Sequence, residues 1–273
     1  MPGTVPAHGT LCPAGRRAPA PDRARAHDEP EESILSTALP PESDVPVPAG
    51  PGPRAVLFDM DGTLVDSEPY WMLAEREIVA EHGATWTHED ALGAVGQALT
   101  TTGAMLRDAG VPLEPDEIVA WLVARVNEQL RERVPWRPGV LELLGDLRAA
   151  GVPCAIVTMS YRSQAEVVAG GAPEGTFTHL VTGDEVTHGK PHPEPYLVAA
   201  GLLGVRPEDC VAIEDSGPGI TSALASGART LGVPAEVPVP ARPGLSRAAS
   251  LKQVDLEVLG RIAAGEVVDL LGD

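Results

Sequence analysis

Apolar positions between residues 54 and 233 come in short runs. "RAVLF" (54–58), "VPCAIVT" (152–158), "HLVTG" (179–183), "CVAIE" (210–214) and "ARTLGV" (228–233) lack the strict alternation of a strand with one wet face. Between them, "PGVLELLGDLRAAG" (138–151), "YRSQAEVVAGG" (161–171), "PEPYLVAAGLLG" (193–204) and "GITSALASG" (219–227) carry helical spacing. Short strands without alternation, separated by helices, predict a parallel sheet covered on both faces. The expected fold class is therefore α/β, a doubly wound, Rossmann-like core. In such a sheet ligands bind beyond the carboxyl ends of the strands.

One interval breaks the rhythm. Residues 69–138 contain "PYWMLAEREIVAEHG", "TTTGAMLRDAG" and "PDEIVAWLVARVNEQLRERV", all helical in pattern, and no convincing strand. Pro69 punctuates one end, Pro135 and Pro138 the other. This predicts an all-helical cap, 69–138, inserted into a core made of 54–68 and 139–260. Residues 1–53 hold 12 of the 28 prolines and no Phe, Trp or Tyr. So little apolar area cannot offset the entropy of ordering, and the segment is expected to be a disordered Pro/Ala-rich tail.

Composition narrows the partners. The chain has 273 residues and an apolar fraction of 43%, enough for a sizeable core. Twenty basic residues against 39 acidic ones leave a net charge of −19. That balance argues against nucleic acid and anionic membrane as partners. It admits a small anionic substrate only where a local cation receives it. No run of about 20 apolar residues is present, so no membrane span is expected. Arg16, Arg17, Arg23 and Arg25 lie near the start without an apolar segment, unlike a secretory signal. Cys12, Cys154 and Cys210 are widely spaced and odd in number. They point to a reducing, cytoplasmic setting rather than a disulfide framework. A monomer or weak dimer is expected.

Four features fall at predicted strand ends: Asp59-Met60-Asp61-Gly62-Thr63, Thr158, Lys190 in "GKPHPEPY", and Glu214-Asp215. Taken singly, each also fits a turn or a solvated charge. On successive strand ends they converge on one crevice of carboxylates, a hydroxyl and an ammonium. Two aspartates one residue apart repel each other, and burying them is costly. His188 and His192 flank Lys190, but Pro191 and Pro193 argue against a helix there, and both read as loop histidines.

These motifs, in this order, resemble those of the haloacid dehalogenase superfamily, over residues 54 to about 233. The helical insertion after the first motif, with "GKPHPEPY" and "EDSGPGITSALASG", resembles the capped branch of β-phosphoglucomutase-like phosphatases. The resemblance implies Asp59 as nucleophile, forming an aspartyl-phosphate, and Asp61 as general acid and base. It implies Mg2+ held by Asp59, the Asp61 carbonyl and Asp215, with Glu214 as a further candidate. Thr158 would bond the transferring phosphoryl group and Lys190 would offset its charge. Gly62, Thr63, Met159 and Ser160 are expected at the substrate. Asp66 and Ser67 are expected to organise the turn, with Glu68 a candidate for the cleft. An acid at position 61 favours phosphate monoesters over carbon–halogen or phosphonate cleavage.

In the cap, "GAVGQALTTTGA" (93–104) has no charged residue, and Gln97 and Thr101 offer neutral hydrogen bonds to substrate. Arg107, Arg125, Arg131 and Arg133, elsewhere in the cap, read as solvated. Neutral donors grip a second phosphate weakly. The expected activity is therefore Mg2+-dependent hydrolysis of a small phosphorylated metabolite, a sugar or polyol monophosphate. The alternative is a phosphomutase of the same fold, and a less expected one is a non-catalytic binding domain.

Overall fold

The computed structural model describes residues 52–94 and 98–271. The expectations for the tail, except at its last two positions, and for Gln97 lie outside those residues. Six parallel strands form one sheet in the order β3-β2-β1-β4-β5-β6. They are β1 (Ala55–Phe58), β2 (Cys154–Val157), β3 (Phe177–Val181), β4 (Cys210–Glu214), β5 (Arg229–Gly232) and β6 (Leu245–Arg247).

The central strands lack alternation because both of their faces are buried. Val56 and Phe58 of β1, with Cys154, Ile156, Val211 and Ile213, enter one core cluster. Ala55 and Leu57, with Ala155, Val157 and Ala212, enter another on the opposite face. Helices α5 (Val140–Ala149), α6 (Arg162–Gly171) and α9 (Leu256–Ala263) cover the first face. Helices α7 (Glu194–Leu202) and α8 (Gly217–Ser226) cover the second.

Four helices lie between β1 and α5: α1 (Glu68–Glu81), α2 (His88–Ala94), α3 (Leu99–Asp108) and α4 (Pro115–Glu132). The chain leaves and re-enters the core along two adjoining connections. Asp66 N donates to Pro135 O at 2.9 Å, Arg137 N donates to Leu64 O at 2.9 Å, and Val65 bridges Trp136. Asn127 on α4 donates to Ser163 Oγ on α6 at 3.1 Å, tying the insertion to the core.

Four local expectations are corrected. The third strand begins at Phe177 rather than at His179, and Thr182 and Gly183 leave it for the loop. Phe177 stands edge-on to Phe58, with ring centroids 6.1 Å apart, which anchors that earlier start. Strand β6 and helix α2 add elements that no apolar run announced. Packing continues past residue 260, with Ile262 and Val268 buried. Arg125 is not a free solvated charge: it is paired with Glu77 and Glu128.

Candidate active site

The four motifs meet at the carboxyl end of the sheet. Asp59 follows β1, and its amide donates to Ile213 O of β4 at 3.0 Å. Thr158 follows β2, Glu214 ends β4, and Lys190 arrives on the loop before α7. Lys190 Nζ lies 2.6 Å from Asp59 Oδ1, 2.6 Å from Glu214 Oε1 and 2.8 Å from Val157 O. Its side chain is 5% exposed and sits over the Tyr196 ring at 5.3 Å. Burial alone would lower the lysine's pKa, but the Asp59 and Glu214 carboxylates outweigh it and hold the ammonium charged.

Glu214 is fully buried, and both of its oxygens are engaged. Oε1 accepts from Lys190 and from Tyr196 OH at 2.8 Å. Oε2 accepts from the amides of Asp215 and Ser216 and from Ser216 Oγ, at 3.1, 3.2 and 3.1 Å. Ser216 also caps α8, accepting from Gly219 N at 3.1 Å. Gly219 is required there, because a Cβ would fall 1.8 Å from Glu214 Oε1.

Asp61 stands across the crevice. Its Oδ1 accepts from Ser67 Oγ at 2.5 Å, and its Oδ2 accepts from Ser160 Oγ at 2.6 Å and, weakly, from Thr158 Oγ1 at 3.4 Å. Thr158 Oγ1 also accepts from Ser160 N at 3.0 Å. The turn that presents Asp61 closes with Gly62 N donating to Val65 O at 2.8 Å. Gly62 has φ +82°, and a Cβ on it would lie 2.2 Å from Asp215 Oδ2.

Asp59, Glu214 and Asp215 bring carboxylate oxygens within 4.8 Å of one another. Among the described residues, Asp59 Oδ2 is buried without a hydrogen-bond partner. A buried lone carboxylate oxygen is costly, so this one asks for a ligand. Burial, then repulsion from Glu214, raises the Asp215 carboxyl to about 7. Burial likewise raises Asp59 well above the carboxylate range, against the pull of Lys190. An unpartnered Oδ2, a neighbouring Asp215 and the space kept open by Gly62 form an all-oxygen donor set that fits a hard divalent cation.

The other expected residues are placed as follows. Thr63 is buried, with Oγ1 unpartnered. Met159 is partly exposed, and its Sδ accepts from Lys190 N at 3.3 Å. Thr101 is exposed in the first turn of α3 and, among the described residues, shares no side-chain hydrogen bond with the strand-end cluster. Ser67 and Tyr196 join the cluster through hydroxyl bonds that the sequence did not announce, though Ser67 stood in the expected turn.

A cavity of about 370 Å3 is lined by Asp66, Glu68, Pro69, Met72, Leu92 and Glu236. Burial raises the Glu68 carboxyl, and Asp61, Glu236 and Asp66 add to that rise. No helix among the described residues is long and apolar enough to cross a membrane.

Comparison with known proteins gives the family. Residues 53–227 match the haloacid dehalogenase-like hydrolase family, and the chain belongs to that family. It is 34% identical over 195 residues to hexitol phosphatase A of Escherichia coli (strain K12), covering 68% of this chain and 86% of that protein. It is also 34% identical over 199 residues to protein CbbY of Rhodobacter capsulatus, covering 67% and 86%. Among solved structures, CbbY from Rhodobacter sphaeroides in complex with xylulose-(1,5)bisphosphate superposes with a TM-score of 0.66. That match is 26% identical and covers 75% of this chain and 98% of the other.

Proposed function

We propose that this chain is a Mg2+-dependent phosphatase that hydrolyses a small sugar or polyol monophosphate through an aspartyl-phosphate on Asp59. The observation that carries the reading is the Asp59 carboxylate. One oxygen is fixed by a buried lysine, and the other is buried and unpartnered beside Asp215. The names of relatives such as hexitol phosphatase A support a phosphorylated polyol or sugar as substrate.

Asp59, Asp215 and the Asp61 backbone carbonyl would hold Mg2+, which when bound supplies positive charge that receives the phosphate. Glu214 does not serve there in this reading, because its oxygens are committed to Lys190, Tyr196 and the start of α8. It positions Lys190 instead. An Asp59 oxygen attacks phosphorus while the bond from phosphorus to the ester oxygen breaks. Asp61, protonated at that stage, gives its proton to the departing alkoxide. Water then attacks the phosphorus, Asp61 takes a water proton, and the Asp59 carboxylate is released with inorganic phosphate. Lys190, its three N–H donors committed to Asp59, Glu214 and Val157 O, would offset charge developing on the phosphoryl oxygens as a point charge, and the Thr158 and Ser160 hydroxyls would turn from Asp61 to donate there. Ser67 holds Asp61 in place throughout.

Helices α1–α4 act as the cap in this reading, and the cavity lined by Glu68, whose carboxyl feels the charge of Asp61, takes the leaving group. Asp66, Glu68 and Glu236 accept hydrogen bonds from alcohol hydroxyls and repel a second phosphate. Hydrolysis of a monophosphate is favoured over mutase chemistry on that ground. The buried free thiols of Cys154 and Cys210 accord with a cytoplasmic setting.

The test is a panel of phosphorylated sugars, polyols and bisphosphates assayed for phosphate release with Mg2+ and after chelation. Release from monophosphates, lost on chelation and in Asp59→Asn, is expected. Undiminished turnover by Asp59→Asn, or a bisphosphate preferred about ten-fold or more, a difference of about 1.4 kcal/mol, would overturn the mechanism or the leaving-group reading respectively.

A further inference from the structure

We propose that His188, His192 and Glu194 form a second ion site, for a borderline transition metal such as Zn2+ or Ni2+, on the outer side of the loop that delivers Lys190. One ligand atom from each of the three residues lies within 4.8 Å of the others. His188 Nδ1 donates to Glu194 Oε2 at 2.8 Å, and His192 Nδ1 is 3.9 Å from the same oxygen. Two ligands bound about 2.0–2.1 Å from one zinc ion stand roughly 3.0–3.4 Å apart. The two separations from Glu194 Oε2 bracket that range, and rotation of the exposed imidazoles would bring their ligand atoms, now within 4.8 Å of each other, onto one ion.

The pair does not rely on a helix. The imidazoles flank Lys190 and stack with centroids 4.6 Å apart at 34°. Their backbone is fixed from several directions. Thr187 N and His188 N donate to the Glu194 carboxylate at 2.7 and 3.0 Å, and His192 N donates to Gly189 O at 3.0 Å. Ser222 Oγ donates to His192 O at 2.6 Å. Lys190 between them is anchored in the strand-end cluster. The ligands are thus held before an ion arrives, which lowers the cost of binding.

The ion would take the place of the proton that His188 Nδ1 shares with Glu194 Oε2, and the neutral imidazole would then carry its one proton on Nε2. His192 Nδ1 would exchange the Glu194 amide, which it now accepts at 3.2 Å, for the metal. Both histidines are exposed, so entry is open and water completes the coordination. Two imidazoles with one carboxylate suit Zn2+, Ni2+ or Cu2+ rather than Mg2+. The site therefore differs in kind from the all-oxygen set at Asp59 and Asp215.

The full-length chain, in excess Mg2+, would be titrated calorimetrically with ZnCl2 and melted with and without Zn2+. One equivalent of Zn2+ that raises the melting temperature is expected. In His188→Gln/His192→Gln, the affinity of that equivalent should fall about ten-fold or more, and the rise should vanish. A control change at His82, exposed at the end of α1, should keep both. Absence of binding to the wild type, equal binding by the double variant, or an equal loss in His82→Gln would overturn the assignment.

Discussion

Glu75 lies on α1 at only 5% exposure, with Trp86 Nε1 donating to its Oε2 at 3.2 Å. Burial raises its pKa from 4.5 to about 7; the Trp86 bond opposes that rise and Glu68 adds to it. The folded state thus holds the proton more tightly than the unfolded chain. The stability Glu75 contributes is fully present below about pH 4.5 and is lost as pH rises through about 7. Glu75→Gln resembles the protonated form, keeps an oxygen to accept from Trp86, and removes the titration. A shift of this size corresponds to a difference between variant and wild type of about 1 kcal/mol at pH 5, growing to about 3 kcal/mol at pH 8. Urea unfolding of both proteins across that range isolates the residue, because all other titrations cancel in the difference. A difference that stays flat with pH, or a variant less stable than wild type at pH 8, would refute the reasoning.

Gly62→Ala should keep the fold but raise the Mg2+ concentration for half-maximal activity about ten-fold or more. The added Cβ meets Asp215 Oδ2, and a left-handed backbone costs about 1–2 kcal/mol for a residue with a side chain. Equal Mg2+ response curves would remove Gly62 from that role. Glu214→Gln should lower unfolding free energy by roughly 2–4 kcal/mol, since it breaks a buried ion pair and turns an amide donor toward donors. Chemical denaturation at neutral pH measures this, and an unchanged midpoint would count against Glu214 as the anchor of Lys190.

Sequence pattern revealed the sheet because burial on both faces removed alternation, and it brought Asp59, Thr158 and Glu214 to one crevice because strand ends converge, whereas Lys190 reaches it on the loop before α7. What escaped it depended on three-dimensional neighbours. Strand β6, "LSR", carries no apolar run and is a strand because β5 offers it an edge. Helix α2 had a readable start: Thr87 and Asp90 bond each other's amides reciprocally, a capping box formed without glutamate. The pattern of its seven residues was simply too short to stand out. Glu214 and Asp215 are adjacent carboxylates that no pattern separates. The packing separates them, aiming Glu214 at Lys190 and Tyr196 and leaving Asp215 beside Gly62. The histidines at 188 and 192 read as loop residues because prolines argue against a helix, yet a loop bound to Glu194 brings their rings together.

The charge balance of the crevice leads to one more prediction. Asp59, Asp61, Glu214 and Asp215 face one ammonium, Lys190, whose charge is already shared between Asp59 and Glu214, and the Arg137 guanidinium acts on Asp215. A phosphate dianion entering that space meets carboxylates at close range. Each unit of like charge about 5 Å away costs about 3 kcal/mol at an effective dielectric of about 20. Lys190 alone can offset only one such term. The protein should therefore bind inorganic phosphate poorly by itself and at least about ten-fold more tightly, about 1.4 kcal/mol, once Mg2+ is present. Linkage requires the reciprocal: phosphate must tighten Mg2+ binding by the same factor. Calorimetric titration of each ligand, with and without the other, measures both sides of the cycle. Asp215→Asn should shrink the coupling while leaving the Lys190 contacts with Asp59 and Glu214 in place. Phosphate that binds with one affinity whether or not Mg2+ is present would mean that the carboxylate cluster is not the cation site from which the mechanism starts.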